Sequence, residues 1–233
     1  MDQEAMTKDV MDAVAFFPRA FTIVLALALG EAFKQFVTDK AETAIQWSRL
    51  PALLAFLFMV FPFFHGMNRY FLQTYQHPLP PASYAGSLLF DSSMFMAEAA
   101  LFFVMSRSLA DEQWRRFFVA LLVLLAIDTT WGVFELQHLA DIRYWIILNI
   151  VLAVALGGLL AYFWKKTTVA WPAIWAAVAT FITTSISYYL SWTFYFLRCP
   201  EKGTPVASRA AGDVHIKTAS APRATMRSRA AWR

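Results

Sequence analysis

Two long apolar stretches of the sequence each contain two acidic side chains, in surroundings where an ionised group has little water to solvate it. The four acids are Asp91, Glu98, Asp128 and Glu135. Asp91 and Glu98 are seven positions apart in the sequence, as are Asp128 and Glu135. In a helix the members of each pair therefore share one face. Insertion scales put the cost of a central Asp in a membrane span at about 2.5–3.5 kcal/mol, so each acid needs a function or a partner.

Proton transfer is the chemistry that desolvated carboxyl and imidazole groups support best. A carboxyl group removed from water holds its proton more tightly and exchanges it near neutral pH, where histidine already titrates. The pattern therefore predicts transport or permeation of a small solute, linked to protons, with Glu98 and Asp128 as the deepest carriers. The other candidates for the path are Glu135, Asp91 and Asn149. The candidates for a gate or counter-charge are His65, Arg69, Arg143 and Arg19.

Hydroxyl side chains concentrate in the last apolar stretch. They either form a polar wall of that path or pack helices closely, which is the commoner role of small hydroxyl residues in membranes. The residues concerned are Thr180, Thr183, Thr184, Ser185 and Ser187.

A metal or haem site is the second interpretation. Glu135 and His138 form an E-x-x-H motif, which di-iron bundles use twice but this chain contains once. Together with His65 and Asp128 they offer nitrogen and oxygen ligands that suit Zn, Fe or Mn, as an intramembrane metal-dependent enzyme would need. His65 and His138 would alternatively serve as the two axial ligands of a haem.

The third interpretation is a membrane assembly or signalling subunit without catalysis. In that case Arg19, Arg69 and Arg143 would neutralise part of the acidic set, and the charges would only tie helices together. The sequence contains no G-x-S-x-G, Walker A or dinucleotide-binding motif that would decide for a known type of enzyme.

Composition determines the class of protein. Apolar residues make up 59% of the chain and charged residues 15%, and the mean hydropathy is +0.48. Soluble domains have about 45–50% apolar and about 25% charged residues. A soluble globule of 233 residues has too little interior for this apolar surface. We therefore expect an integral protein of the bacterial inner membrane or the plasma membrane.

Six stretches are long enough to span a bilayer, which takes about 20 residues. They predict an all-α fold, a compact bundle of antiparallel transmembrane helices that occupies residues 13–198 and follows a short acidic segment, 1–12. The predicted spans are 13–33, 51–67, 88–105, 117–136, 144–164 and 171–197. Prolines between residues 70 and 87 predict an extended cap or re-entrant lid there. Tryptophans near the span ends are expected to be interfacial anchors: Trp47, Trp114, Trp145, Trp164, Trp171 and Trp192.

The basic residues of the short loops predict the orientation. Loops on one side contain eight Lys or Arg residues, and loops on the other side contain only Arg69 and Arg143. The positive-inside rule then places both termini outside the cytoplasm, together with most of the polar cluster. The eight residues are Lys34, Lys40, Arg49, Arg107, Arg115, Arg116, Lys165 and Lys166.

Residues 199–233 form a tail rich in Arg and Ala that we expect to be disordered. Its basic residues could attract anionic lipid, whereas no specific nucleic-acid site is expected, and a homo-oligomer stays open. Cys199, the single cysteine, excludes an intramolecular disulfide. Its thiol is expected to be inert unless it is palmitoylated.

Overall fold

The computed structural model describes residues 3–37, 45–75, 81–109, 113–136, 142–165 and 170–191. These ranges fold into six α-helices and one 3-10 turn at Trp47–Arg49, with no strand among them. His138, Cys199 and the tail 199–233 lie outside the described residues. The helices are α1 Gln3–Val37, α2 Leu50–Thr74, α3 Pro81–Arg107, α4 Trp114–Glu135, α5 Ile142–Phe163 and α6 Ala170–Leu190.

Each of the six helices is long and apolar enough to cross a membrane. The mean hydropathy of their most apolar windows runs from 1.4 for Trp171–Leu190 to 2.4 for Ile142–Phe163. A helix satisfies all of its own interior backbone groups, which is why such segments are stable in a bilayer core. The six helices fit the multi-pass membrane protein that the composition predicts.

The helices extend beyond several of the predicted spans. Helix α1 begins at Gln3 and α2 continues to Thr74, because polar residues prolong a helix beyond its apolar part without breaking it. The predicted extended cap over 70–87 is wrong where the chain is described, since residues 70–74 end α2 and residues 81–87 begin α3. Pro81 is the first residue of α3, a position that a proline ring tolerates.

Packing between the helices closes into a ring. Each helix packs mainly against two neighbours, in the order α1, α3, α4, α5, α6, α2 and back to α1. Aromatic contacts run in opposite order along α2 and α3, where Phe63 packs against Phe102 and Tyr70 against Phe95, with ring centroids 5.4 and 5.9 Å apart. One continuous apolar core results, and its helices hold the polar side chains inside the ring.

Helix α2 contains a proline, Pro62, that removes one backbone hydrogen bond from the helix. The carbonyl that loses its donor belongs to Phe58, four residues earlier. The Thr184 hydroxyl of α6 donates to this oxygen at 2.8 Å. The hydroxyl thus replaces the missing N–H and ties α6 to α2 at mid-helix.

Helices α4 and α5 approach each other closely at Gly132. A Cβ atom at this position would lie 2.9 Å from the Ile146 Cγ1 atom, closer than carbon atoms pack. The glycine therefore permits the approach that brings Asp128, one turn earlier on α4, against α5.

Candidate functional site: two buried carboxyl clusters

The first cluster is built around Asp91, near the start of the apolar part of α3. Its carboxylate accepts a hydrogen bond from the Tyr70 hydroxyl at 2.6 Å and one from the Tyr75 hydroxyl. The Trp131 indole N–H of α4 donates to its other oxygen at 3.0 Å. Asp91 is only 1% exposed, so these donors replace the water that the carboxylate has lost. We call these four residues the Asp91 cluster.

Aromatic packing fixes the donors of the Asp91 cluster. The Tyr70 and Trp131 rings meet edge to face with centroids 4.8 Å apart, and Phe95 packs on Trp131 at 5.0 Å. Tyr75 lies one residue beyond the apolar span of α2. Burial, and then the hydrogen bond to and the charge of Asp91, raise the pKa of the Tyr75 phenol, so Tyr75 remains a protonated donor.

The second cluster joins two acids from different helices. The carboxyl groups of Glu98 of α3 and Asp128 of α4 lie next to each other. Asp128 Oδ2 also accepts hydrogen bonds from the Trp145 indole N–H and the Asn149 amide, both on α5. The two acids are 1% and 2% exposed, respectively. We call them the Glu98–Asp128 pair.

A hydrogen bond within the Glu98–Asp128 pair requires a proton. An ionised carboxylate is only an acceptor, so two carboxyl groups hydrogen-bond to each other only when one of them is protonated. Asp128 already accepts two N–H donors, which makes it the acceptor in this bond as well. A hydrogen bond between the two acids would thus have a protonated Glu98 as its donor.

One oxygen of the pair has no partner. Glu98 Oε1 is buried and makes no hydrogen bond to any described residue. A buried carboxyl oxygen without a donor costs free energy, typically about 1–3 kcal/mol. Asp91 contrasts with it, because both oxygens of Asp91 accept at least one hydrogen bond.

Apolar rings lie along the membrane normal on both sides of the pair. Two helical turns, about 10 Å, separate Glu98 from Asp91 on α3, and the buried Phe95 ring fills this interval. On the opposite side of Glu98, Phe102 packs between Phe56 and Phe63, with centroid distances of 6.0 and 5.4 Å. Buried aromatic rings therefore flank the pair in both directions along α3.

A narrow crevice reaches the α5 side of the pair. It lies between α2, α5 and α6, and its walls include Trp145 and Asn149, the two donors to Asp128. The deepest part has room for roughly one water molecule. Thr183, Thr184 and Ser187 form the α6 wall. The Ser187 hydroxyl is buried and makes no hydrogen bond to a described residue, so the crevice offers a polar group.

The remaining predicted site residues lie nearer the membrane surface. Glu135 is half-buried at the end of α4, and its charge acts on both Tyr70 and Tyr75. His65 is half-buried, with its ring centroid 5.9 Å from that of Tyr188, and Arg69, one turn further on, is half-buried too. Arg19 and Arg143 are exposed.

The basic residues predicted as counter-charges differ in surroundings from the acids. The Arg143 guanidinium lies 4.9 Å from the Tyr144 ring and donates to its hydroxyl at 3.3 Å. The hydrogen bonds that satisfy Asp91 and Asp128 come from phenol, indole and amide groups. Neutral hydrogen-bond donors therefore stabilise these two acids, a role that the sequence analysis predicted for arginines.

The described residues contain no group of three or more His, Cys, Asp or Glu side chains placed to hold a metal ion. His65 lies beside Tyr188 on α6, whereas Asp128 lies next to Glu98 and accepts hydrogen bonds from Trp145 and Asn149. His138, the remaining nitrogen ligand of the predicted metal or haem site, lies outside the described residues.

Sequence reasoning missed most of the hydrogen-bond donors. Trp114 and Trp145 were expected to be interfacial anchors, but Trp114 is buried against Phe118 and Trp145 donates to Asp128. The Trp145–Asn149 spacing of four residues was the available signal, since it places both donors on one face of α5. The Tyr70 and Tyr75 phenols had no comparable signal, because their common acceptor is on another helix.

Comparison with protein-family models, with curated proteins and with solved structures finds no match for this chain.

Proposed function

We propose that this chain is a multi-pass membrane transporter in which the Glu98–Asp128 pair carries protons across the membrane, a movement to which transport of a small solute can be linked. One observation carries the proposal: two carboxyl groups, both almost fully buried, lie next to each other, and one oxygen of Glu98 makes no hydrogen bond to a described residue. A hydrogen bond between two such groups requires a proton. A purely structural tie would be expected to satisfy all of its polar atoms, as the Asp91 cluster does.

The position of the pair between buried aromatic rings supports a carrier. Coupled transport requires that a proton site opens to one side of the membrane at a time, so rings must separate it from both faces in an intermediate state. Phe95 with Trp131 and Phe102 with Phe56 provide these separations. The Thr184–Phe58 bond links α6 to α2 beside the crevice, where a rearrangement would admit water to Asn149.

The orientation proposed with this function has both termini outside the cytoplasm. The Asp91 cluster and Glu135 would then face the outside, and protons would reach the pair from that side. The membrane would be a bacterial inner membrane or a plasma membrane.

Proton flux tests the proposal without knowledge of the solute. Purified protein is reconstituted into liposomes that contain a pH-sensitive dye, and a potassium diffusion potential drives protons inward. We expect wild-type vesicles to acidify faster than empty vesicles. Glu98→Gln and Asp128→Asn should each lower the protein-dependent rate at least tenfold, because neither amide can take up the shared proton.

Glu31→Gln is the matched control. Glu31 is a half-buried membrane carboxylate of α1 that lies 3.9 Å from Lys34 and accepts a hydrogen bond from Gln35, away from both clusters. Its flux should equal that of the wild type. If the wild type gives no flux above empty vesicles, or if the Glu98 and Asp128 variants retain wild-type rates, the proposal is wrong.

Infrared spectra of the wild type and of Glu98→Gln test for the shared proton separately from flux. A protonated carboxyl group gives a C=O stretch that a carboxylate lacks. We expect this band in the wild type at neutral pH and its loss in Glu98→Gln. A wild-type spectrum without the band would contradict the assignment of a stored proton.

A further inference from the structure

An open groove lies on the outer surface of α3 and α4, away from both carboxyl clusters. Its volume is about 400 Å³, and its walls include Leu101 and Val104 of α3 and Val119, Ala120 and Val123 of α4. Arg115 and Arg116 stand at its end, where α4 begins. We propose that this groove binds one anionic phospholipid, with an acyl chain along the valines and the headgroup phosphate on the two arginines.

The apolar part of the groove fits an acyl chain. Val104, Val119 and Val123 are 42–45% exposed and thus form a lipid-facing surface. Arg116 and Val123 are seven residues apart on α4, so the groove follows the helix for about 10 Å. This length accommodates the upper part of one acyl chain below its headgroup.

The charged end of the groove is held in place. The Arg115 guanidinium lies 5.5 Å from the Trp114 ring and 5.4 Å from the Trp164 ring, and it donates to the Trp164 carbonyl at 2.8 Å. Exposed tryptophan rings such as that of Trp164 are favoured at the depth of lipid headgroups, whereas Trp114 is buried. Arg115 is therefore fixed between α4 and the end of α5, at the level where a phosphate would lie.

Arg116 supplies the second positive charge. It is exposed and donates to the Gln113 side-chain oxygen at 3.3 Å. The groups that these bonds engage are a carbonyl and an amide, which are neutral, so the bonds leave the charge of both arginines in place. Guanidinium groups bind phosphate through two parallel N–H donors, and anionic headgroups are attracted to basic residues at the membrane surface.

Lipid titration followed by native mass spectrometry tests the site on the full chain in detergent. The probes are palmitoyl-oleoyl phosphatidylglycerol and the matching phosphatidylcholine, which has the same chains and no net charge. We expect phosphatidylglycerol to bind about tenfold more tightly, because the positive choline group of phosphatidylcholine offsets the phosphate charge that the two arginines attract. Equal affinity for the two lipids would overturn the proposal.

Three variants locate the lipid. Arg116→Gln should abolish the preference for phosphatidylglycerol, and Val123→Trp should weaken both lipids at least fivefold, because it fills the groove while keeping the arginines. Lys34→Gln, an exposed residue of α1 with the same loss of charge, should change neither affinity. Arg116→Gln or Val123→Trp binding like the wild type, or Lys34→Gln losing as much as Arg116→Gln, would contradict the site.

Inorganic phosphate separates a lipid site from a simple anion site. In excess it should leave bound phosphatidylglycerol in place, because the acyl chain in the groove contributes to binding. Displacement of the lipid by inorganic phosphate would overturn the assignment. The proposal does not depend on proton transport, and the flux experiment has no bearing on it.

Discussion

At the scale of single residues, the two buried acids of α3 solve the same problem in different ways. Asp91 has lost its water but accepts a phenol, a second phenol and an indole N–H. Glu98 has lost its water and leaves Oε1 without a hydrogen bond to any described residue. We attribute a stabilising role to the Asp91 arrangement and proton exchange to the Glu98 arrangement. A buried polar group without a hydrogen bond lowers the stability of the fold, so its presence needs a functional reason.

Tyr70→Phe tests the structural role of the Asp91 cluster. The change keeps the ring that packs on Trp131 and removes only the hydroxyl that donates to Asp91. Hydrogen bonds to charged groups contribute about 1.5–3 kcal/mol, so the free energy of unfolding should fall by about that amount. Unfolding in mixed micelles, followed by tryptophan fluorescence, measures the loss.

The control for this substitution is Tyr189→Phe. Tyr189 is 81% exposed, so removal of its hydroxyl should leave the unfolding free energy unchanged. Proton flux should stay near the wild-type value in both variants. A Tyr70→Phe protein as stable as the wild type, or one without flux, would show that the roles of the two clusters are assigned incorrectly.

At the scale of elements, helices α2 and α6 are joined by a hydrogen bond in which a side-chain hydroxyl replaces a missing backbone N–H donor. Pro62 takes the backbone N–H away from the Phe58 carbonyl, and the Thr184 hydroxyl restores a donor. Interhelical hydrogen bonds in membranes contribute about 0.6 kcal/mol on average and about 1–2 kcal/mol in model peptides. The Thr184 bond should lie toward the upper end, because the carbonyl has lost its normal donor.

A double-mutant cycle measures this bond. Thr184→Val should lower the unfolding free energy by about 1 kcal/mol, because the Phe58 carbonyl is left unsatisfied. In a Pro62→Ala background, the backbone N–H of the introduced alanine supplies the missing donor, so the same Thr184→Val change should cost less. Thr130→Val is the control, since the Thr130 hydroxyl bonds only within its own helix, to the Ala126 carbonyl. Additive effects of Pro62→Ala and Thr184→Val would contradict the proposed replacement.

The sequence predicted the helices well but did not predict the contacts between helices that build the site. Hydropathy found all six helices, because the bilayer imposes length and apolar character on each helix separately. The spacing of Asp91 and Glu98 placed both on one face of α3, and both are buried. Spacing within one helix holds no information on which helices meet. The Trp145–Asp128 bond therefore emerged only from the packing of α4 against α5.

Tryptophan shows this limit most clearly. Trp47, Trp164 and Trp171 are 67%, 48% and 60% exposed, as expected of anchors at a membrane interface. Trp145 has a similar position in the sequence, near a span end, but its indole N–H reaches a buried carboxylate. Local sequence is similar in both cases, and only the neighbouring helix distinguishes an anchor from a hydrogen-bond donor.

At the scale of the whole molecule, the distribution of positive charge predicts how the helices are oriented in the membrane. The chain around the junctions that follow α1, α3 and α5 contains eight basic residues, whereas the junctions that follow α2 and α4 are flanked by Arg69 and Arg143. The basic tail would favour the opposite orientation if all charges counted equally. Basic residues close to the spans dominate topology, however, so we expect the short loops to prevail over the tail.

Labelling of single cysteines with a membrane-impermeant maleimide tests this orientation. In a Cys199→Ser background, Arg143→Cys at the start of α5 should react on intact cells. Lys34→Cys near the end of α1 should react only after the membrane is permeabilised. Both positions are exposed, so access of the reagent depends on the side of the membrane rather than on burial.

The reverse pattern of labelling would place the Asp91 cluster on the cytoplasmic side and make protons reach the Glu98–Asp128 pair from within the cell. Removal of residues 199–233 separates the two influences on topology. The truncated chain should keep the labelling pattern of the full chain, because its short loops still differ by eight basic residues to two. A pattern that changes on truncation would instead show that the charge of the tail determines the orientation, and with it the side from which the proton enters.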